Sequence, residues 1–223
     1  MALTLWNLNK SMKRRLNRIF LRLYSAFGAQ HWWPADNSFE VIVGAILTQN
    51  TSWANVEKAI LKLKDKKALN ARKLLALSPH KLAALIKSTG YYNLKAARLK
   101  NFIKFFFAMY AGNIKRMGLQ DLTLLRKQLL AVKGVGPETA DSILLYALNK
   151  PVFVIDAYTK RILSRHHLLN EDTTYEQAQG IFMCNLKNDT KLFNEYHALL
   201  VKLGKDYCRK HNPKCEICPI HGQ

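Results

Sequence analysis

Apolar residues in this chain recur three and four positions apart and almost never alternate with polar ones as a half-buried strand requires. Between Met12 and Phe27 the spacing gathers Leu16, Ile19, Phe20, Leu23 and Tyr24 on one side of a basic helix. Ser38 to Leu47 is apolar nearly throughout, so the helix predicted there is central to a core. It gives way to Thr48-Gln49-Asn50-Thr51, and Thr51 or Ser52 can cap the helix that begins near Trp53. A charge-rich connection from Lys62 to Arg72 leads to short helices at about Ala71–Leu77 and Pro79–Lys87. Gly90 ends the second, and Asn93 caps a helix running to Tyr110 whose Phe102, Phe105, Phe106 and Phe107 are core. The pattern predicts an all-α protein.

The stretch from Leu129 to Lys160 departs from plain helical periodicity. Apolar positions from Leu122 to Val132 stop at Gly134-Val135-Gly136, where glycine accepts positive φ and close backbone approach at little cost. Pro137 suits a first helical turn, because its missing N–H would have no partner there. Two readings fit this turn: a simple corner between helices, or a site whose outward amides and helix end face one phosphate. A short apolar run then ends in Asp156, which has the type and place of an N-cap for the next helix.

Charge narrows the partners. Thirty-five Lys and Arg stand against fifteen Asp and Glu, a net charge of +20 that repels itself in a compact chain. A polyanion is therefore expected, nucleic acid before an anionic membrane surface. No window holds the roughly 18 uncharged apolar residues of a membrane span. The N-terminal stretch, with Lys10, Lys13, Arg14, Arg15, Arg18 and Arg22, does not read as a signal peptide, and a cytoplasmic, nucleoid-associated protein is expected. Cys208, Cys215 and Cys218 cluster near the end, which suggests metal ligation in a reducing compartment, with Cys184 in an apolar context as a core residue.

Several of these segments carry a family resemblance. KGVGPETADSILLYAL resembles the helix-hairpin-helix element of the endonuclease III superfamily of base-excision DNA glycosylases. VFVIDAYTKRIL resembles the segment that bears its catalytic aspartate, here Asp156. His31-Trp32-Trp33-Pro34 with FEVIVGAILTQNTSWANVEKAI is similar to the 3-methyladenine DNA glycosylase III branch. The resemblance runs from about Ser38 to Cys218. It implies a bilobal helix-hairpin-helix DNA glycosylase fold with a C-terminal iron–sulfur loop. One lobe would be residues 37–149, the other 1–36 with 150–223, and Asp156 would lie at the cleft between them near Trp32 and Trp53. Double-stranded DNA with a damaged base would be the partner of a monomer.

The resemblance also assigns roles. Trp32 and Trp53 would sandwich the flipped base, with Trp33 and Pro34 supporting the pocket wall. A methylated purine is cationic, so indole faces add cation–π attraction to stacking. Gln49 would fill the gap left by the extruded base, although a polar helix end exposed to water fits the residue equally. Tyr91 would wedge into the opposite strand. Lys133, Gly134, Val135, Gly136 and Thr139 would meet DNA at the hairpin. Bifunctional members carry a lysine where this chain has Glu138, so little or no lyase activity is expected. Cys208-x6-Cys215-x2-Cys218 resembles the [4Fe-4S] loop, whose last cysteine would fall just beyond Gln223. His221, Cys184 and solvent are the other candidates for that place, and zinc is the other metal. Oxidised pyrimidines or mismatched thymine form the second substrate class, and a non-catalytic DNA-binding module is the reading from outside enzymology.

Overall fold

Helical periodicity becomes helix throughout the computed structural model, which describes residues 2–170 and 172–223; among these no strand occurs. In chain order the helices are α1 Ala2–Phe27, α2 Ser38–Leu47, α3 Trp53–Asp65, α4 Ala71–Ala76, α5 Pro79–Leu85 and α6 Tyr92–Tyr110. There follow α7 Ile114–Gly118, α8 Leu122–Leu130, α9 Pro137–Ser142, α10 Ala157–Arg165, α11 Tyr175–Met183 and α12 Thr190–Asp206. No described helix is long and apolar enough to cross a membrane. The chain divides into two compact units, one continuous from Trp33 to Lys150 and one formed by the flanking residues up to Trp32 and from Pro151.

In the continuous unit α2 is the central rod, with every residue from Glu40 to Leu47 buried. Its one buried charge is satisfied: Lys64 reaches Glu40 at 2.7 Å and Asp36 at 2.8 Å. Of the α6 aromatics expected in the core, Phe102 and Phe106 are buried, with Tyr110 beside them, whereas Phe105 and Phe107 are half-buried because they flank that buried stripe; Phe39 stacks on Phe106. A two-pronged ion pair clamps the hairpin helices. Arg126 on α8 donates to both carboxylate oxygens of the fully buried Asp141 on α9, at 2.7 and 3.0 Å. Beyond α9 the helix widens into a buried π-helical turn, Ile143–Ala147.

The discontinuous unit packs α12 against α1 and α10. Leu16, Ile19 and Leu23 of α1 are buried and the Tyr196 hydroxyl donates to Leu16 O, but Tyr24, expected on the buried side, is 44% exposed. At Gly204 a Cβ would lie 2.4 Å from the Tyr158 ring, so α10 and α12 approach more closely than any larger residue allows. Two other expectations shift. Asn93 lies inside α6, because the left-handed Tyr91 (φ +44°) takes the N-cap place directly after Gly90 (φ +65°), which ends the Lys87–Thr89 3-10 helix as expected. Cys184 is exposed rather than core, because it falls on the C-cap of α11 and the buried face there passes through Phe182 instead.

One buried cation sits under this loop. Lys95 is 1% exposed and donates to Thr89 O at 2.7 Å. Burial, reinforced by the nearby Arg98 guanidinium, lowers its pKa from 10.5 to about 8. The folded chain then releases this proton at a lower pH than the unfolded chain, so this group's contribution to stability rises as pH climbs from about 8 to 10.5. Lys95→Met should remove that rise. In urea titrations at a series of pH values, variant stability relative to the parent should fall by up to about 3 kcal/mol across that window. A difference independent of pH would contradict the assignment.

Candidate active site

Asp156 owes its position to three local constraints. The segment before it, Pro151–Ile155, is neither helix nor strand and is pinned from α11, where Gln179 Nε2 donates to Phe153 O at 2.6 Å and the Tyr175 hydroxyl accepts from Ile155 N at 3.2 Å. Phe153 is fully buried and lies flat on Phe182, ring centroids 3.7 Å apart. Asp156 then caps α10, Oδ1 accepting from Thr159 N at 2.7 Å. Its other oxygen lies 3.8 Å from Nε2 of the buried His197 on α12, and the Asp156 side chain is 12% exposed. Burial lowers the pKa of His197, only partly countered by Asp156, so the imidazole is neutral at neutral pH. A cap bond to one oxygen leaves the second carboxylate oxygen available for chemistry.

The same helix carries a second job at its far end. Arg161 donates to Gly204 O at 3.1 Å and Cys208 O at 2.7 Å, while Arg165 donates to Arg209 O at 2.7 Å and Cys208 Sγ at 3.3 Å. Cys208, Cys215 and Cys218 line one cavity of about 290 Å3 together with Arg165, His166 and His221. Burial and the two neighbouring thiols raise the pKa of Cys218. Among the described residues no three His, Cys, Asp or Glu groups are arranged to hold a single metal ion.

The aromatic residues divide between the units. In the continuous unit the half-buried Trp33 stands edge-on to Trp53, centroids 5.2 Å apart at 88°, and tilted to the buried Tyr146 at 5.3 Å. Its indole lies 3.3 Å from where a Cβ on Gly44 would stand, so the tryptophan fits because α2 offers glycine. Trp32 belongs to the other unit, beneath the Lys205 ammonium at 5.8 Å from its ring, and Pro34 is exposed. Trp33, expected as a supporting wall, meets Trp53 edge-on.

At the hairpin, Gly134 takes φ +97°, which L side chains rarely adopt, and a Cβ there would lie 2.3 Å from Arg98 Cγ. Gly136 is extended with open space around it. Val135 and Thr139 are buried, while Lys133, Gly136 and Glu138 are exposed. Gln49 is docked on this turn: its Nε2 donates to Gly134 O at 3.0 Å and Thr139 Oγ1 at 2.9 Å, and Arg98 Nη1 donates to its Oε1. Tyr91 is 74% exposed on its left-handed backbone. His197, Tyr146 and Arg98 escape sequence reasoning. Each lies in a stretch whose spacing looks like ordinary helix, and only long-range packing brings it to a site.

Known proteins share this architecture. The family described as HhH-GPD superfamily base excision DNA repair protein matches residues 43–187. A Methanocaldococcus jannaschii protein named "Putative DNA repair glycosylase" is 50% identical over 205 residues, spanning 91% of this chain and 92% of its own length. Endonuclease III of Thermotoga maritima is 28% identical over 180 residues, 81% of this chain and 79% of that protein. The H. pylori 3-methyladenine DNA glycosylase bound to 1,N6-ethenoadenine has a TM-score of 0.72 at 28% identity, covering 89% of this chain and 96% of that one. A trapped endonuclease III–DNA covalent intermediate shares the fold, with a TM-score of 0.80 at 21% identity over 93% and 92% of the two chains.

The two hairpin glycines should respond differently to alanine. Gly134→Ala combines left-handed strain with a collision against Arg98 and should cost about 2 kcal/mol or more, whereas Gly136→Ala should stay within about 0.5 kcal/mol of the parent. Chemical denaturation of both variants checks this, and equal losses would contradict the geometry.

Proposed function

This chain belongs to the HhH-GPD superfamily of base excision DNA repair proteins and is a DNA glycosylase, and we propose that it releases alkylated purines, 3-methyladenine first among them, from duplex DNA by hydrolysis. The observation that carries this reading is the electron-rich set formed by Trp33, Trp53 and Tyr146. A purine methylated on a ring nitrogen carries delocalised positive charge, which indole faces attract beyond simple stacking. The H. pylori neighbour, a 3-methyladenine DNA glycosylase holding 1,N6-ethenoadenine, supports a modified purine as the substrate class.

Cleavage sends the C1′–N electron pair onto the purine and discharges its positive charge, so the leaving group needs no added proton. The sugar left behind is cation-like. Asp156 stabilises it through Oδ2, because Oδ1 stays on the Thr159 amide, and a water adds to C1′ as its proton passes to the carboxylate or to solvent. The neutral His197 beside that oxygen places no competing positive charge there. Glu138 stands where a bifunctional member has its lysine, and a carboxylate cannot form an imine, so the strand stays intact after base release. Gln49 and the exposed Tyr91 hold the duplex open by occupying the vacated gap and stacking in the opposite strand. The +20 charge supplies attraction to DNA and makes binding steeply salt-dependent.

The cysteine loop suits an iron–sulfur cluster. Three thiols share one cavity, and a cationic donor from Arg165 reaches Cys208 Sγ, as a sulfur carrying negative charge favours. Cys208, Cys215 and Cys218 would hold such a cluster through their thiolates, the ligands iron–sulfur clusters take. Bound there, the cluster would fasten the loop to α10 and add its binding free energy to folding.

Asp156→Asn separates cap from catalyst. Asparagine caps a helix as well as aspartate, so the melting temperature should stay within about 2 °C of the parent. Release of 3-methyladenine from methylated duplex should fall by about 100-fold or more, because the carboxylate charge is gone. Unchanged release would reduce Asp156 to a cap and remove the hydrolytic mechanism.

A further inference from the structure

Arg98 is unaccounted for by the hairpin's DNA contact or by the hydrolytic step, yet it touches two of the elements proposed to handle the duplex. Its aliphatic stem fills the space that a side chain on Gly134 would need, with Cγ, Cδ and Cβ at 2.3, 3.0 and 3.1 Å from that Cβ position. Its guanidinium donates to Gln49 Oε1, and the Gln49 amide nitrogen in turn donates to Gly134 O and Thr139 Oγ1. The glutamine oxygen accepts from the arginine, and both N–H groups of its amide are directed at hairpin oxygens. The arginine decides which way round the amide lies: a donor at Oε1 turns Nε2 toward the hairpin carbonyl. Without it the amide can rotate, since either of its ends can hydrogen-bond the Thr139 hydroxyl.

The helix that carries Arg98 also carries the loop with the exposed aromatic. Tyr91 is the N-cap of α6, and Lys95, within the first two turns of that helix, holds Thr89 O beneath the loop. One rigid helix therefore fixes the base of the Tyr91 loop through Lys95, and both Gln49 and the hairpin turn through Arg98. We propose that Arg98 is a positioning residue for base eversion, holding Gln49 in register with the hairpin so that its amide is already oriented when a base leaves the stack. This rests on Gln49 being the residue that fills the gap, and the test is built to tell the two apart.

The readout is eversion itself: fluorescence of 2-aminopurine placed beside a modified purine in duplex DNA, measured in an Asp156→Asn background so that base release is slow on the timescale of the measurement. Arg98→Met keeps most of the stem under Gly134 and removes the donor. It should lower the eversion equilibrium by about tenfold, the scale of one charge-assisted hydrogen bond. Gln49→Ala should do the same, and the double variant should be no worse than either single one, since both remove one linkage. Arg98→Lys, which retains a cationic donor, should recover part of the signal. Eversion at the parental level in Arg98→Met, or losses that multiply in the double variant, would overturn the proposal. A normal signal in Gln49→Ala alone would instead remove the gap-filling premise, and the proposal with it. If Arg98→Met melts early, the lysine variant carries the test: equal loss in Arg98→Lys and Arg98→Ala would likewise overturn it.

Discussion

A single hydrogen bond, from the Thr159 amide to Asp156 Oδ1 at 2.7 Å, is what the proposed chemistry depends on. It starts α10, and it fixes a carboxylate that would otherwise rotate freely. Everything upstream serves that bond. Phe153 is locked between Phe182, Phe193 and Tyr196, and Gln179 and Tyr175 grip the backbone on either side of Val154. Gly204 then lets α10 lie close on α12, which carries His197 to the second carboxylate oxygen. A short acid on a rigid element holds its geometry better than one on a loop. The same helix ends in two arginines that grip the cysteine loop, so the acid and the loop share one support.

The continuous unit solves a different problem, that of presenting exposed groups on unexposed supports. Tyr91 is open to solvent, yet the loop under it is tied by a buried lysine. The hairpin turn is shaped by a glycine in the left-handed region seated on Arg98, and its two helices are clamped by the Arg126–Asp141 pair. Removing one partner of such a buried pair typically costs about 3–5 kcal/mol, because the other charge is left without compensation. The groups that would touch DNA therefore sit on elements that have little freedom to move.

Much of this was legible in the chain. The helices announce themselves by period, Gly134 by breaking it, and Asp156 by standing at a helix start after an apolar run. What sequence could not supply was pairing at a distance. His197 reads as one more position in an amphipathic helix, and Tyr146 as part of an apolar run, until packing brings them to Asp156 and Trp33. Arg98 looks like a solvated charge, and its contact with Gly134 depends on a backbone φ that no spacing encodes. Where the structure departs from expectation the cause is local. Tyr24 turns outward because the buried stripe of α1 runs through Leu16, Ile19 and Leu23, and Cys184 falls on a helix end rather than its core face.

Under the proposed reading, Glu138 and the indoles together distinguish an alkylpurine hydrolase from an oxidised-pyrimidine lyase. Single-turnover reactions on matched duplexes, one bearing 3-methyladenine and one an oxidised pyrimidine, run with borohydride present, address both at once. Release of the methylated purine, strands cut only after alkali, and no trapped protein–DNA adduct are expected. Release of the oxidised pyrimidine accompanied by a trapped adduct would contradict that reading.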